Sequence, residues 1–270
     1  MSLWLCRQEQ VKHPYLVETL GISLYSSQEL CYVIYHHPLL VLDGFVDDTL
    51  LTFLREELNL GFLALKLERW GKSGENPDEM PGMILQECDY YTAAEISRFR
   101  QQIAVIRKKH PAEYRKLKAD ELFRLRQYGR AVALYRELTE YPRDTYVDEL
   151  FVGRVWNNIG SCYARMFQTE RALEAYEKAY VLTKERDVLE RIYYLTSVDK
   201  KLAMKERFLS LITPELKKDW DGNMAAARQN AAESAKVKEL EELFTRDSVK
   251  RLAGETKLVG QWKKEYRSMV

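Results

Sequence analysis

The feature that most constrains the fold is an ordered alternation of large and small side chains between residues 153 and 183. Trp156, Ile159, Gly160 and Tyr163 recur at the three- and four-residue spacing of one helical face. A glycine inside a helix costs roughly 1 kcal/mol relative to alanine, so a neighbouring helix that approaches closely best explains Gly160. The pattern therefore predicts a pair of tightly packed helices.

Part of this pattern occurs earlier in the chain. Ala172 and Tyr176 lie on one face of the second predicted helix, and Ala131 and Tyr135 have the same spacing. The step from Ala131 to Ala172 is 41 residues. A first helix at residues 112–125 would complete the earlier pair. The sequence therefore predicts two related helix pairs in succession.

These residues resemble the tetratricopeptide repeat, whose pattern is W-x2-L-G-x2-Y followed by A-x3-F. The matching positions are Trp156, Ile159, Gly160, Tyr163, Ala172 and Tyr176. The family unit has 34 residues, so about seven extra residues separate the two pairs here. A third pair at residues 187–212 is supported only by its apolar rhythm. The resemblance implies a right-handed α-α superhelix of stacked helix pairs.

The rest of the chain is also predicted to be helical. Glycine (12) and proline (7) are scarce in 270 residues, which favours long uninterrupted elements. Ser26 and Thr92 each precede a glutamate by three residues and open predicted helices, and Thr213 before a proline opens another. We therefore predict an all-α protein with three regions. They are an N-terminal helical region of unassigned fold (1–110), a repeat array (111–212) and a C-terminal helical cap or extension (213–270).

The C-terminal region leaves alternatives open. Residues 224–246 are rich in helix formers and form either a helix docked on the array or a seam for self-association or a partner helix. Asp221, Gly222 and Asn223 are expected to break or kink the helix before them. The tail combines basic and aromatic side chains, but acidic residues lie among them, so it favours nucleic-acid binding only weakly. These side chains are Lys257, Trp262, Lys263, Lys264, Tyr266 and Arg267.

No set of residues points to catalysis. The sequence has no Gly-x-Ser-x-Gly, His-Glu-x-x-His or Gly-x-Gly-x-x-Gly motif. His36 and His37 are adjacent in a predicted helix, where neighbours do not face each other, so they do not predict a metal site. We expect a protein that is not an enzyme and binds neither metal nor cofactor. The alternative is an enzyme whose site lies in residues 1–110.

Charge and cysteine spacing also limit the class of protein. The formal net charge of +1 gives no general attraction to nucleic acid or to an anionic membrane. The most apolar stretch, residues 39–42, is far shorter than the ~20 residues of a membrane helix, and no secretory signal is evident. Cys6, Cys31, Cys88 and Cys162 are too far apart for a local zinc knuckle and are expected to be reduced thiols. We expect a cytoplasmic protein without a membrane partner.

The resemblance also implies where a partner would bind. In this repeat family the first helix of each pair lines a concave groove that holds a peptide or helix of another protein. The corresponding residues here are Lys116, Arg124, Arg154, Asn157, Asn158, Ser161 and Arg165. Their amide and guanidinium groups can bond a peptide backbone or an acidic side chain. We therefore predict a scaffold or adaptor that binds another protein. The alternative is a transcription-linked regulator that binds nucleic acid through the tail.

Some members of the family clamp a carboxylate in this groove. Such a clamp needs asparagine in the first pair, where Asp120 stands here. It also needs lysine and arginine in the third pair, where Val188 and Ile192 stand. The sequence therefore predicts that the clamp is absent.

Overall fold

The computed structural model describes residues 11–245 and 247–270. Apart from one two-stranded hairpin, the secondary-structure elements of this part of the chain are helices, which confirms the predicted all-α fold. The chain divides into two compact units between Glu121 and Leu122. The division falls inside a helix, and the three predicted regions stay a prediction.

The first unit begins with an antiparallel hairpin in which Tyr15 pairs with Leu24. Single turns of 3-10 helix (Pro38–Leu40) and π-helix (Phe53–Glu57) interrupt the helices that follow. The elements are β1 (Tyr15–Val17), β2 (Ile22–Leu24), α1 (Ser27–His36), α2 (Asp48–Thr52), α3 (Gly61–Ser73), α4 (Glu79–Cys88), α5 (Ala93–Arg107) and the start of α6 (Pro111–Arg124). The predicted caps are present, since the Ser26 side chain accepts a hydrogen bond from the Glu29 amide and Thr92 forms a reciprocal capping box with Glu95.

A charged network around Arg107 ties the loop after α1 to α4, α5 and α6. The Arg107 guanidinium donates two hydrogen bonds of 2.7 Å to Asp78 and one of 2.9 Å to Asp43. The Tyr114 hydroxyl donates to the second oxygen of Asp43 at 2.5 Å. Burial by itself would raise the pKa of Asp43, but Tyr114 and Arg107 outweigh it and hold this pKa below its ordinary value.

The second unit contains only helices among its described residues. They are α7 (Tyr128–Thr139), α8 (Glu149–Arg165), α9 (Thr169–Thr183), α10 (Arg186–Val198), α11 (Glu206–Leu209), α12 (Pro214–Ala232), α13 (Ala235–Phe244) and α14 (Ser248–Met269). The pair α8 and α9 forms its most extensive packing interface, and α7 and α10 pack on either side of this pair. Its core includes Val155, Ile159 and Tyr135, each at most 1% exposed.

The predicted close approach at Gly160 is present. A Cβ atom at this position would lie 2.6 Å from two ring carbons of Tyr176, which is closer than real carbon contacts allow. A second close approach, which the sequence pattern did not single out, occurs at Gly153. A Cβ atom there would lie 2.5 Å from the Thr183 methyl and 3.4 Å from the Ala179 carbonyl oxygen. Two glycines of α8 therefore set its distance from α9.

The turn before α7 repeats in the turn before α9, 41 residues later. Arg126 and Phe167 both have left-handed backbones, with φ of 62° and 58°. The Gln127 amide bonds the carbonyl of Leu122 at 2.8 Å, and the Gln168 amide bonds that of Tyr163 at 2.9 Å. In both turns the glutamine side chain accepts a 2.9 Å hydrogen bond from an arginine three residues on, Arg130 or Arg171. The offset seen in the sequence is therefore also a structural repeat.

The third pair differs from the expected one. Its first helix, α10, forms, but α11 is a single turn that buries Phe208 against Tyr180. α12 packs against α10 instead, with the buried Trp220 ring 5.3 Å from Tyr193. The expected break at residues 221–223 is wrong, because α12 runs through it without interruption. Thr213 and Pro214 start this helix as predicted.

The Gly160 contact yields a stability prediction. Gly160→Leu should lower the free energy of unfolding by at least about 2 kcal/mol, because the new side chain must displace the Tyr176 ring. Gly222→Leu is the matched control, since nothing lies within 4 Å of a Cβ at this exposed position of α12. It should be neutral or raise stability by up to about 1 kcal/mol. Urea unfolding followed by circular dichroism measures both, and equal midpoints would contradict the packing at Gly160.

The Arg107 network yields a pH prediction. A carboxylate with a lowered pKa stabilises the folded state above its unfolded pKa of about 3.9, and this contribution is lost as the pH falls through the folded pKa. Tyr114→Phe should therefore cost about 1 kcal/mol at pH 7 and progressively less below about pH 4. Urea unfolding at pH 7 and pH 3 tests this. Tyr25→Phe, at a position 53% exposed, should change nothing at either pH.

Candidate functional site

A polar surface forms where α8 meets α10. The Arg191 guanidinium on α10 donates to the Asn157 side-chain oxygen at 2.8 Å and to the Ser161 hydroxyl at 3.3 Å. The Tyr176 hydroxyl on α9 donates to the same Ser161 oxygen at 3.2 Å. Burial raises the pKa of the Tyr176 phenol, while Ser161 and two nearby arginines, Arg191 and Arg165, oppose that shift. We call this set (Asn157, Ser161, Arg165, Arg191 and Arg154) the α8–α10 surface.

Three arginines give this surface a positive character. Arg154 pairs with Glu185 through two hydrogen bonds of 3.1 Å and is still 57% exposed. Arg165, at the end of α8, and Arg191 are also exposed. An exposed guanidinium can bond a carboxylate or a peptide carbonyl through two parallel hydrogen bonds. The surface therefore combines hydrogen-bonded polar side chains with exposed donors.

The other predicted groove residues are Asn158, Lys116 and Arg124. Asn158 donates a 3.3 Å hydrogen bond to the Tyr135 hydroxyl of α7. Lys116 belongs to the first unit and pairs with Asp120 at 2.7 Å. Arg124 is exposed near the end of α6 in the second unit. Of the predicted set, the structure brings together the members on one side of α8.

Arg191 belongs to this surface but was not among the groove residues predicted from the sequence. A carboxylate clamp would need basic side chains at positions 188 and 192, but Val188 and Ile192 are both buried. A helix turns 100° per residue, so the residue next to a buried one can point away from the core. The signal that could have identified it is an arginine one position before the buried Ile192, on the polar side of α10.

The surface continues onto α12. The Asn223 amide donates to the Tyr194 hydroxyl at 3.3 Å, and this hydroxyl donates to Glu190 at 2.5 Å. Tyr193 donates to Asp221 at 2.5 Å, and desolvation together with this carboxylate raises its pKa to about 12. Polar contacts therefore link α8, α10 and α12 in succession.

The described part of the C-terminal segment (213–270) buries none of Arg154, Arg165 and Arg191, which are all exposed. Its last residue lies against α7, since a Cβ at Gly129 would be 2.0 Å from the Val270 carbonyl oxygen. In α12, Ala227 and Ala231 are exposed, and self-association through residues 224–246 stays a prediction. The aromatic rings of the tail, Trp262 and Tyr266, are 46% and 41% exposed on α14.

The described residues also include three of the four cysteines and the adjacent His36 and His37. Cys31 and Cys162 are buried and Cys88 is partly exposed, whereas Cys6 lies outside the described residues. His37 is paired with Glu121 at 2.9 Å. In residues 11–245 and 247–270, no three histidine, cysteine or acidic side chains are grouped so that they could hold a metal ion. No helix in the same ranges has the length and apolarity to cross a membrane.

Comparison with known proteins agrees with the helix pairing. Residues 153–184 match the family model of the tetratricopeptide repeat, and this range contains α9 and most of α8. The protein therefore contains a tetratricopeptide repeat, a helical unit that typically serves protein–protein interaction. Searches of curated proteins and of solved structures gave no significant match.

Proposed function

We propose that the protein is a non-catalytic scaffold or adaptor that binds a peptide or helix of another protein on its α8–α10 surface. The hydrogen bonds from Arg191 to Asn157 and Ser161 carry this proposal. They join the first helices of two successive pairs into one polar surface. A partner that lay across α8 and α10 would meet it without any rearrangement of the helices.

The charges of this surface favour a partner with acidic groups. Glu185 is already bonded to Arg154, and Glu190 accepts the Tyr194 hydroxyl. The exposed guanidinium groups of Arg165 and Arg191 remain available to a partner's carboxylates or backbone carbonyls. Electrostatic complementarity of this kind steers association and suppresses partners of the wrong sign. We therefore propose an acidic segment as the preferred ligand in a cytoplasmic setting.

Charge reversal on the surface tests the proposal. The double variant Arg154→Glu, Arg165→Glu should lose partner capture from a lysate of the source cell, because both sites would then repel an acidic segment. Partner proteins would be identified by mass spectrometry. A peptide from the contact region of the identified partner should bind the double variant at least about tenfold more weakly, as measured by fluorescence anisotropy.

The matched control is Lys217→Glu, Lys218→Glu, which makes the same change of charge at exposed positions of α12. It should retain capture and peptide affinity at the same salt concentration. Circular dichroism should show equal helicity for both double variants. If the α8 variant captures the same partner as strongly as the control, the α8–α10 surface is not the binding site.

A further inference from the structure

A separate pocket opens on α7, α8 and α9. Its volume is about 480 Å³, within the range of small-ligand sites. Its aromatic lining comes from Trp156 and Tyr163 of α8. Thr139 and Glu140 line it where α7 ends, at the start of the extra residues that separate the two helix pairs. The residues of the α8–α10 surface do not line it.

Three cationic side chains converge on the two rings. The Lys178 ammonium lies 4.2 Å from the centre of the Trp156 indole. Arg136 donates a 2.8 Å hydrogen bond to the Tyr163 hydroxyl, and Arg171 lies 5.8 Å from the centre of the same ring. Cations over aromatic faces are attracted by the ring quadrupole, which holds these flexible side chains at the pocket wall.

Within the described residues, none of Arg136, Arg171 and Lys178 forms an ion pair with a carboxylate. Two acidic side chains, Glu140 and Glu174, also line the pocket. Three positive and two negative side chains leave an excess of one positive charge. A single negative charge on the ligand therefore balances the pocket.

We propose that this pocket binds a carboxylate carried by a flat aromatic body. The carboxylate would bond the Lys178 ammonium and a guanidinium group, and the aromatic body would lie against the Trp156 and Tyr163 rings. Arginine and lysine bond carboxylate oxygens through charge-assisted hydrogen bonds, and aromatic pairs prefer offset or edge contacts. Such a ligand is either a free aromatic acid or a peptide that ends in an aromatic residue.

The indole resonance of Trp156 reports on the pocket directly. In ¹⁵N-labelled protein this resonance is assigned by its loss in Trp156→Phe, and the Trp220 indole is an internal reference. Addition of N-acetylphenylalanine should shift the Trp156 resonance to saturation. N-acetylphenylalaninamide, which lacks the charge, and acetate, which lacks the ring, should leave it unmoved at the same concentration. 3-Phenylpropionate should also shift it. Tighter binding of N-acetylphenylalanine identifies a peptide that ends in an aromatic residue as the ligand, and tighter binding of 3-phenylpropionate identifies a free aromatic acid.

A second test of the proposal replaces one of the three cationic side chains of the pocket. Lys178→Gln should weaken N-acetylphenylalanine binding roughly tenfold, because it removes a charged hydrogen-bond donor. Lys184→Gln is the control, since this lysine lies 5.6 Å from the Tyr180 ring centre in the same kind of contact outside the pocket. It should change the affinity by less than about twofold. Equal shifts with acid and amide, or equal affinities of the two lysine variants, would overturn the proposal.

Discussion

The second unit depends on the absence of a side chain at Gly160. The Tyr176 ring occupies the space that a Cβ atom would need, so α8 and α9 can pack at this distance only if residue 160 is glycine. The same packing brings the Tyr176 hydroxyl to Ser161, one residue further along α8. Ser161 in turn accepts a hydrogen bond from Arg191. A steric condition inside the repeat therefore leads directly to the polar surface that we propose as the binding site.

Features with a local signal could be predicted from the sequence. The caps at Ser26, Thr92 and Thr213 each need one side chain at a fixed distance from a backbone amide, so a short motif is sufficient. The 41-residue offset could also be predicted from the sequence. Ala131 and Tyr135 have the same spacing in the second helix of their pair as Ala172 and Tyr176 have in theirs. Periodicity therefore located both the helices and their buried faces.

Features that depend on tertiary packing could not be predicted. Arg191 is defined as a surface residue only by the rotation of α10, which is set by the burial of Val188 and Ile192. The apolar rhythm of residues 202–211 predicts a full helix, yet only one turn forms there. Its Phe208 and Lys205 are instead held by Tyr180 and by a buried glutamate of α9. Contacts to residues far away in the sequence decide both outcomes.

The two polar regions around α8 differ in how their charges are compensated, and this difference implies different ligands. On the α8–α10 surface, Arg154 is paired with a carboxylate and Arg191 bonds neutral groups. A ligand there adds many modest interactions to side chains that are already hydrogen-bonded. A long segment suits this surface, because it can make such contacts along two helices. In the pocket beside Trp156 the cations contact aromatic rings, and among the described residues none of them forms an ion pair, so one ligand carboxylate gains several charge-assisted contacts at once. A small ligand suits that pocket, since its charge is compensated in a single place.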